Sequence, residues 1–250
     1  MDSDGVLVTG GAKRIGREIV RRFANAGWTT AVHYHTGEDE AQSLAQELNA
    51  AGARIVAVGG DLSTEQGVRD VLSGALRAVP GLRCVVNNAA LFDYDTPQTF
   101  SPAKLLDHLA VNAVAPMVFA RELFARAKEN DRFVMINVLD QKLFNPNPDF
   151  FSYTLSKAVV LAATPLLGLA LAPRVRVANV APGLTLLSAD QTAENFDRVH
   201  SRTPMSAGTM PAEVADAIFF IATNPAMHGS SLIVDHGQHL VMSPRDVMFL

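Results

Sequence analysis

The stretch "VTGGAKRIGREI", residues 8–19, decides the fold, because it joins a short β-rich run to a helical pattern through a glycine-rich turn. Gly10, Gly11 and Gly16 allow the backbone to turn tightly and to come close to a pyrophosphate. The start of the helix adds unpaired N–H groups and the positive end of a dipole, both of which favour an anion. Such a loop after a strand is typical of a dinucleotide-binding domain.

Along the rest of the chain, short apolar runs alternate with longer helical patterns. Parallel strands need crossover helices, and these cover both faces of the sheet. We therefore predict an α/β fold over residues 1–250: a single-domain, Rossmann-type, doubly wound parallel sheet with helices on both faces. The irregular region at about 181–209 predicts a lid or binding loop, with a substrate loop at about 184–210. The seven predicted strands are "GVLVT" (5–9), "WTTAVHY" (28–34), "RIVAVG" (54–59), "LRCVVN" (82–87), "RFVMIN" (132–137), "VRVANV" (175–180) and "SLIVD" (231–235).

Composition narrows the class of protein. The 250 residues are 48% hydrophobic and 18% charged, with a formal net charge of -4, which indicates a soluble globular protein without a basic patch for nucleic acid. One cysteine, Cys84, excludes an internal disulfide. The acidic N-terminus lacks the pattern of a signal peptide, and the longest charge-free apolar run is too short to span a membrane. We expect a cytoplasmic protein with no membrane partner.

A second motif lies in "VLDQKLFNPNPDFFSYTLSK", residues 138–157. Tyr153 and Lys157 are four residues apart, so they share one face of a helix. The lysine cation stabilises a tyrosinate and can also hold the ribose of a nicotinamide cofactor. A carboxylate, Asp140, stands thirteen positions before the tyrosine, where a neutral hydroxyl would suit the transfer of a hydride to or from an alcohol.

The charge of Asp140 indicates the kind of reaction. An ionised carboxylate accepts hydrogen bonds but cannot donate them, and it would repel an alkoxide forming beside it. It would also raise the pKa of Tyr153 and so keep the tyrosine protonated. A protonated tyrosine suits an acid in a reduction rather than a base in an oxidation. We interpret the three residues as a site for reducing a C=N bond in a nitrogen heterocycle.

The end of the second predicted strand indicates which cofactor is preferred. An acid at this position would bind a ribose 2′-hydroxyl and repel a 2′-phosphate. The sequence has "HYHTG" at 33–37, with Tyr34 near the usual acidic position and with His35 and Thr36 able to donate hydrogen bonds. Lys13 and Arg14 add two cations from the glycine loop, so NADP(H) is favoured. We predict no metal site, since no third ligand accompanies the histidine pair at 33 and 35.

Taken in order, these motifs resemble the short-chain dehydrogenase/reductase family. The matches are Thr9-Gly10 with Gly16, Asp61 in "GDLS", "NNAA" at 87–90, Asn112 in "AVNA", the Tyr153/Lys157 pair, and Pro182-Gly183 with Thr185. Arg14 replaces the middle glycine of the family's loop. The resemblance implies that Asn112 joins Asp140, Tyr153 and Lys157 in catalysis through a water chain. The cofactor contacts implied are Gly10, Lys13, Arg14, Ile15, Tyr34, His35, Thr36, Asp61, Leu62, Asn88, Ala89, Ala90, Tyr153, Lys157, Pro182, Gly183 and Thr185.

The apolar helix after Lys157 and the apolar tail "DVMFL" (246–250) indicate contacts between subunits. In the family this helix packs in dimers and tetramers, so the resemblance implies a homo-oligomer, a dimer or a homotetramer.

A narrower resemblance is to pteridine reductases and bacterial dihydromonapterin reductases. It rests on "TGGAKRIGREI", "HYHTG", "NNAALF", "APGLTLL" and the spacing of Asp140, Tyr153 and Lys157. It implies a pterin or folate-like substrate, with Phe92 stacking on the flat ring. Arg14, Asp140 and Tyr153 would also contact that substrate. Two residues depart from the pattern: Ala90 stands in place of a serine and Thr36 in place of an arginine.

Three functions follow from these observations. The first is an NADPH-dependent reductase of a dihydropterin or dihydrofolate. The second is a broad carbonyl reductase or alcohol dehydrogenase of the same fold, in which Asp140 must be protonated or replaced by another donor. The third is an NADP-binding regulator without turnover, which the intact Tyr153/Lys157 pair disfavours.

Overall fold

A computed structural model describes residues 4–187 and 191–249. Residues 188–190 of the predicted substrate loop lie outside the described residues, as do residues 1–3 and 250 of the predicted domain.

Seven strands form one parallel sheet in the order β3-β2-β1-β4-β5-β6-β7, which confirms the predicted fold class. The order reverses between β1 and β4, and ligands of such sheets bind at this switch point, outside the carboxyl ends of the strands. Every predicted strand is present, with ends that differ by at most two residues. The bounds are β1 Gly5–Val8, β2 Thr29–Tyr34, β3 Ile55–Gly59, β4 Leu82–Asn87, β5 Phe133–Val138, β6 Val175–Pro182 and β7 Ser231–Val234.

Helices cover both faces of the sheet and bury two apolar layers. Alternate residues of a strand point to opposite faces, so Val6 and Val8 join one layer while Leu7 joins the other. The first layer packs under α1, α2 and α8, and the second packs under α3 and α5. The helices are α1 Arg14–Asn25, α2 Glu38–Ala50, α3 Glu65–Ala78, α4 Pro102–Leu109, α5 Ala115–Arg126, α6 Phe151–Leu171, α7 Ala193–His200 and α8 Pro211–Thr223.

The region predicted to be irregular contains an unexpected helix, α7. Its start is capped by Thr192, whose hydroxyl accepts a hydrogen bond from Asn195 N at 3.1 Å, and Glu194 lies in its first turn. A threonine cap followed by an acid is a helix-start signal that the interpretation as a loop overlooked. Pro165 lies inside α6, and the helix is unbroken through this residue.

A π-helical turn at Ala110–Val114 joins α4 to α5, so residues 102–126 form one long helical run. This run and α6 are both long and apolar enough to cross a membrane by length and composition. Both pack on other elements of the fold, α5 against α3 and α6 against β6 and α4, and core helices of soluble proteins satisfy the same criteria. The absence of a membrane partner and the cytoplasmic location stay predictions.

Candidate active site

A cavity of about 660 Å³ opens at the carboxyl ends of the strands. It gathers most of the site residues that the sequence predicts, which come from loops that are far apart along the chain. Three predicted residues, Asp61, Leu62 and Asn112, do not line it. The predicted residues that do are Gly10, Lys13, Arg14, Ile15, Tyr34, His35, Thr36, Asn88, Ala89, Ala90, Phe92, Asp140, Tyr153, Lys157, Pro182, Gly183 and Thr185.

The turn between β1 and α1 requires glycine at two positions. Gly10 has a φ of +59°, in the left-handed region, and a Cβ at Gly16 would lie 2.2 Å from Gly10 O. Asn88 fixes the turn from the neighbouring strand, because its Nδ2 donates to the carbonyl oxygens of Thr9 and Gly10, each at 3.0 Å. Among the residues that the structure describes, no side chain caps the start of α1, so the first N–H groups of this helix suit an anion.

Arg14 occupies the place of the family's middle glycine and adopts a glycine-like conformation. Its φ is 52°, which costs a residue with a side chain on the order of 1 kcal/mol or more. Its guanidinium crosses to the segment after β6, where Nη1 donates to Leu187 O at 2.9 Å. Arg14 therefore connects the glycine turn to the predicted substrate loop.

His33 supports the same turn from inside the fold. Gly10 N donates to His33 Nδ1 at 3.2 Å, so the ring proton is on Nε2, which lies 3.1 Å from Gly60 O. Burial lowers the pKa of His33 to about 4, so the imidazole is neutral. No local pattern in the sequence indicates this support, because it depends on how β2 lies beside the turn. Within residues 4–187 and 191–249, no group of three or more histidine, cysteine or acidic side chains is placed to hold a metal ion.

The end of the cavity beside β2 carries the residues predicted to select NADP(H). His35 and Thr36 are exposed there and Tyr34 is half-buried. Lys13 reaches the same end, where its Nζ forms an ion pair with Glu40 Oε1 at 2.5 Å. Both side chains of this pair are about half exposed, so the pair can open at little cost.

Tyr153 and Asp140 are in direct contact. The hydroxyl of Tyr153, in the first turn of α6, donates to Asp140 Oδ2 at 3.1 Å. Asp140 follows β5 by two residues, and its Oδ1 accepts the backbone N–H of Lys142 at 2.8 Å. The chain between β5 and α6 thus returns to the sheet edge and brings the acid onto the tyrosine.

Burial controls the protonation of these groups. The pKa of Asp140 is raised by burial, against the opposing hydrogen bond from Lys142 N. The pKa of Tyr153 is raised well above its usual value, first by burial and then by the charge of Asp140. Burial also lowers the pKa of Lys157 to about 8, and Lys157 Nζ donates to Val138 O at 2.7 Å. Tyr153 therefore keeps its proton at neutral pH.

Asn112 lies in the π-helical turn and its side chain is fully engaged. Oδ1 accepts from Leu91 N at 2.8 Å, while Nδ2 donates to Leu91 O at 3.0 Å and to Ser156 Oγ at 2.9 Å. The amide thus fixes the loop after β4 against α6, and its part in a water chain to Lys157 stays a prediction. Such π turns occur often at functional sites because they redirect one side chain.

The two remaining predicted residues lie beyond the cavity. The carboxylate of Asp61 accepts from Ser63 N at 2.8 Å and from Ser63 Oγ at 2.7 Å. Leu62 is buried in the second apolar layer. Both support the loop after β3.

An aromatic cluster forms one wall of the cavity. Phe92 is 45% exposed and stacks on Phe150, with ring centroids 4.2 Å apart and planes 11° apart. Its edge meets Tyr153 at 4.7 Å. Phe150 has a φ of 52°, a strained conformation for a bulky residue, and such strain is often found at functional sites. The sequence predicted Phe92 but gave no signal for Phe150.

The C-terminal residues fold over the same wall. Phe249 packs on Tyr94 at 5.1 Å and on Phe150 at 6.4 Å, and Asp246 and Val247 line the cavity. Phe249 thus packs within its own chain, and the contact of the tail with another subunit stays a prediction. No local pattern in the sequence indicates this packing, because the contact depends on the path of the chain after β7.

Comparison with known proteins agrees with this geometry. The family model of short chain dehydrogenase matches residues 4–198. A dihydromonapterin reductase of Citrobacter koseri is 28% identical over 237 residues, covering 94% of this chain and 96% of that protein.

Two solved structures are also similar. The FolM alternative dihydrofolate reductase 1 from Brucella canis, complexed with NADP, has a TM-score of 0.91 and 35% identity, covering 97% of this chain and 96% of that one. The angucycline C-6 ketoreductase LanV with bound NADP has a TM-score of 0.87 and 28% identity, covering 95% of this chain and 96% of that one.

Proposed function

The chain belongs to the short chain dehydrogenase family and is an oxidoreductase of that family, and from this premise we propose that it reduces a C=N bond of a pterin or dihydrofolate-like substrate with NADPH. One observation carries the proposal: the hydroxyl of Tyr153 donates to the carboxylate of Asp140, which is half-buried and lines the cavity. This arrangement keeps the tyrosine protonated and ready to act as an acid.

The residues of the cavity fit NADP(H), which supplies a hydride when it is bound. The turn at Gly10 and Gly16, together with the uncapped start of α1, suits a pyrophosphate. Lys13, His35 and Thr36 would contact a 2′-phosphate and Lys157 would contact the nicotinamide ribose, and the position of all four residues in the lining of the cavity supports this. The solved relatives hold NADP, which supports this assignment.

In the proposed reaction Tyr153 delivers the proton. Its hydroxyl proton moves to the ring nitrogen of the C=N bond, directly or through water, as the neighbouring carbon is reduced. Asp140 holds that proton in place beforehand, and burial raises the pKa of its carboxyl group, which favours the carboxyl as the group that passes a proton back to the tyrosine afterwards. Lys157 stabilises the negative charge that forms on the tyrosine oxygen.

The assignment of a pterin-like substrate has two supports. The exposed ring of Phe92 offers a flat apolar surface for stacking, worth about 1 kcal/mol beyond burial. Relatives that match nearly the whole chain are named as reductases of a dihydropterin and of a dihydrofolate. Ala90, on the same loop, offers no hydroxyl to the substrate.

A substrate panel tests this function. NADPH oxidation is measured at several pH values with dihydrobiopterin, dihydrofolate, dihydromonapterin and a set of simple ketones. We expect turnover of at least one pterin or folate well above that of every ketone. Equal or better activity on the ketones would remove the proposal.

A second candidate is a carbonyl reductase, favoured by the raised pKa of Asp140. A protonated Asp140 can donate a hydrogen bond to a carbonyl oxygen, as a serine would. The structural likeness to a ketoreductase supports this alternative. The same panel separates the two, and a protein that binds NADPH but oxidises none with any substrate would instead be a regulator without turnover.

We also propose that the protein is a homo-oligomer that assembles through α6. Leu166 and Leu169 on this helix are 67% and 85% exposed, and Leu155 and Val159 also face solvent. Light scattering of the unsubstituted protein and of Leu169→Lys tests this, with a smaller native mass expected for the variant. A monomeric mass for the unsubstituted protein would remove the proposal.

A further inference from the structure

Lys142 is a buried cation two residues after Asp140. It is only 3% exposed, and its Nζ donates to Asp149 O at 2.5 Å and pairs with Asp246 Oδ2 at 3.2 Å. Its backbone N–H is the donor to Asp140 Oδ1. A buried charge is costly unless it is paired, so Asp246 is the group that makes this cation tolerable.

Asp246 belongs to the C-terminal segment, defined here as residues 241–249. Several contacts fasten this segment beside the cavity. Asn145 Nδ2 donates to Val241 O at 2.6 Å, and the carboxylate of Asp149 accepts both Arg245 Nε and Asp246 N at 2.7 Å. Asp246 therefore reaches Lys142 only because the segment is docked.

The charges around Asp140 come from three parts of the chain. Tyr153 and Lys157 face it from α6, Lys142 lies on its own loop, and Asp246 comes from the C-terminal segment. Arg245 and Asp149 form a separate pair that is neutral in sum.

Without Asp246, the two cations Lys142 and Lys157 would both act on Asp140 and would hold it ionised. With Asp246 docked, the charge of Lys142 is cancelled. Consistent with this balance, the charge of Asp246 raises the pKa of both Asp140 and Tyr153.

We propose that Asp246 is a positioning residue for proton donation: it neutralises Lys142 and thereby keeps a proton on the Asp140–Tyr153 pair when the C-terminal segment is docked. This inference deepens the proposed function and rests on it for its role in turnover.

The direct test is a titration of Asp140 by carbon-13 NMR of carboxyl groups, with the signal assigned through Asp140→Asn. In Asp246→Asn, which keeps the shape and removes the charge, we expect the Asp140 midpoint to fall by about 1 pH unit. Lys142→Gln should move the midpoint the other way, and the double variant should return it to near its original value. Asp93→Asn, which removes an exposed acid from the loop after β4, is the matched control and should change nothing.

A second arm follows the pH dependence of kcat with the best pterin substrate. Asp246→Asn should move the alkaline fall of the rate to lower pH, and the double variant should reverse this. A segment that only anchors the wall would lower kcat or raise KM at every pH without moving the profile.

The titration and the pH profile together distinguish a failure of the proposed function from a failure of the inference about Asp246. If no pterin or folate is turned over, the proposed function fails, yet the titration still decides the role of Asp246. An Asp140 midpoint that is the same in Asp246→Asn, in Lys142→Gln and in the unsubstituted protein would overturn the inference whatever the turnover. The Asp140 midpoint is expected to shift in opposite directions in the two single variants. If only one of them folds, its shift alone therefore tests the inference.

Discussion

Tyr153 directs its hydroxyl proton at Asp140 Oδ2, 3.1 Å away, while Lys157 Nζ donates to the backbone oxygen of Val138. The acid, rather than the lysine, is therefore the hydrogen-bond partner of the tyrosine. A lysine in this place favours tyrosinate, but burial and the carboxylate both oppose ionisation, and their sum raises the pKa of Tyr153. The site is arranged to give a proton.

The first prediction concerns Asp140→Ser. Pterin turnover should fall by about 100-fold. The substitution supplies a hydroxyl donor, but it removes the negative charge that holds the proton on the tyrosine. Without that charge Tyr153 ionises at lower pH, so the alkaline fall of the rate should begin earlier. NADPH affinity should hardly change, and activity on ketones should stay level or rise. Unchanged pterin turnover with an unchanged pH profile would favour the carbonyl reductase.

A second prediction concerns Arg14, studied through two substitutions. Arg14→Gly and Arg14→Ala both remove the contact with Leu187 O, so both should raise the KM for substrate by the same factor. Only glycine relieves the positive φ, so Arg14→Gly should be more stable than Arg14→Ala by about 1 kcal/mol. Urea unfolding and steady-state kinetics measure the two effects. Equal stability of the variants would show that the turn is not strained.

The pair of Lys13 and Glu40 leads to a third prediction about cofactor choice. Glu40→Gln frees Lys13 for a 2′-phosphate, so NADPH should bind about twofold to fivefold more tightly while NADH is unaffected. Glu47→Gln is the matched control, because Glu47 pairs with Arg17 and Arg21 on the outer side of α1. Fluorescence titration measures the affinities for NADPH and NADH. A gain that is the same for NADH would show that Lys13 does not meet the 2′-phosphate.

Stability against pH provides a fourth prediction, centred on His33. Its folded pKa of about 4 lies below the usual 6.5, so the unfolded chain takes up a proton between these values and the folded chain does not. The contribution of the neutral imidazole is complete above pH 6.5 and is lost as the pH falls towards 4. The loss amounts to roughly 3 kcal/mol at most.

His33→Gln tests this assignment, because it removes the titration while keeping an amide that can donate and accept. Urea unfolding of both proteins is measured from pH 7 to pH 4, and the difference between them isolates His33 from the carboxylates that also lose stability in acid. The difference should shrink or reverse as the pH falls. Parallel curves would show that the buried imidazole is not the titrating group.

The sequence by itself determined the fold class, and it predicted which residues would meet at one edge of the sheet. Runs of β-branched residues alternating with amphipathic helices leave few arrangements other than a doubly wound parallel sheet, since the crossovers must cover both faces. Because the carboxyl ends of parallel strands meet at one edge, the loops after β1, β2, β4, β5 and β6 had to converge there. For that reason Gly10, Asp140 and Tyr153 were identified from local motifs alone.

Only the tertiary structure decided the contacts that depend on how distant segments pack. The engagement of the Asn112 amide with Leu91, the support of Gly10 by His33 and the stacking of Phe92 on Phe150 have no local signature. The burial of Lys142 against Asp246 joins residues 104 positions apart in the chain. Local patterns record periodicity and backbone preference, whereas the partner of a buried charge is fixed by the path of the whole chain, so the electrostatics of the proton donor emerged only from the fold.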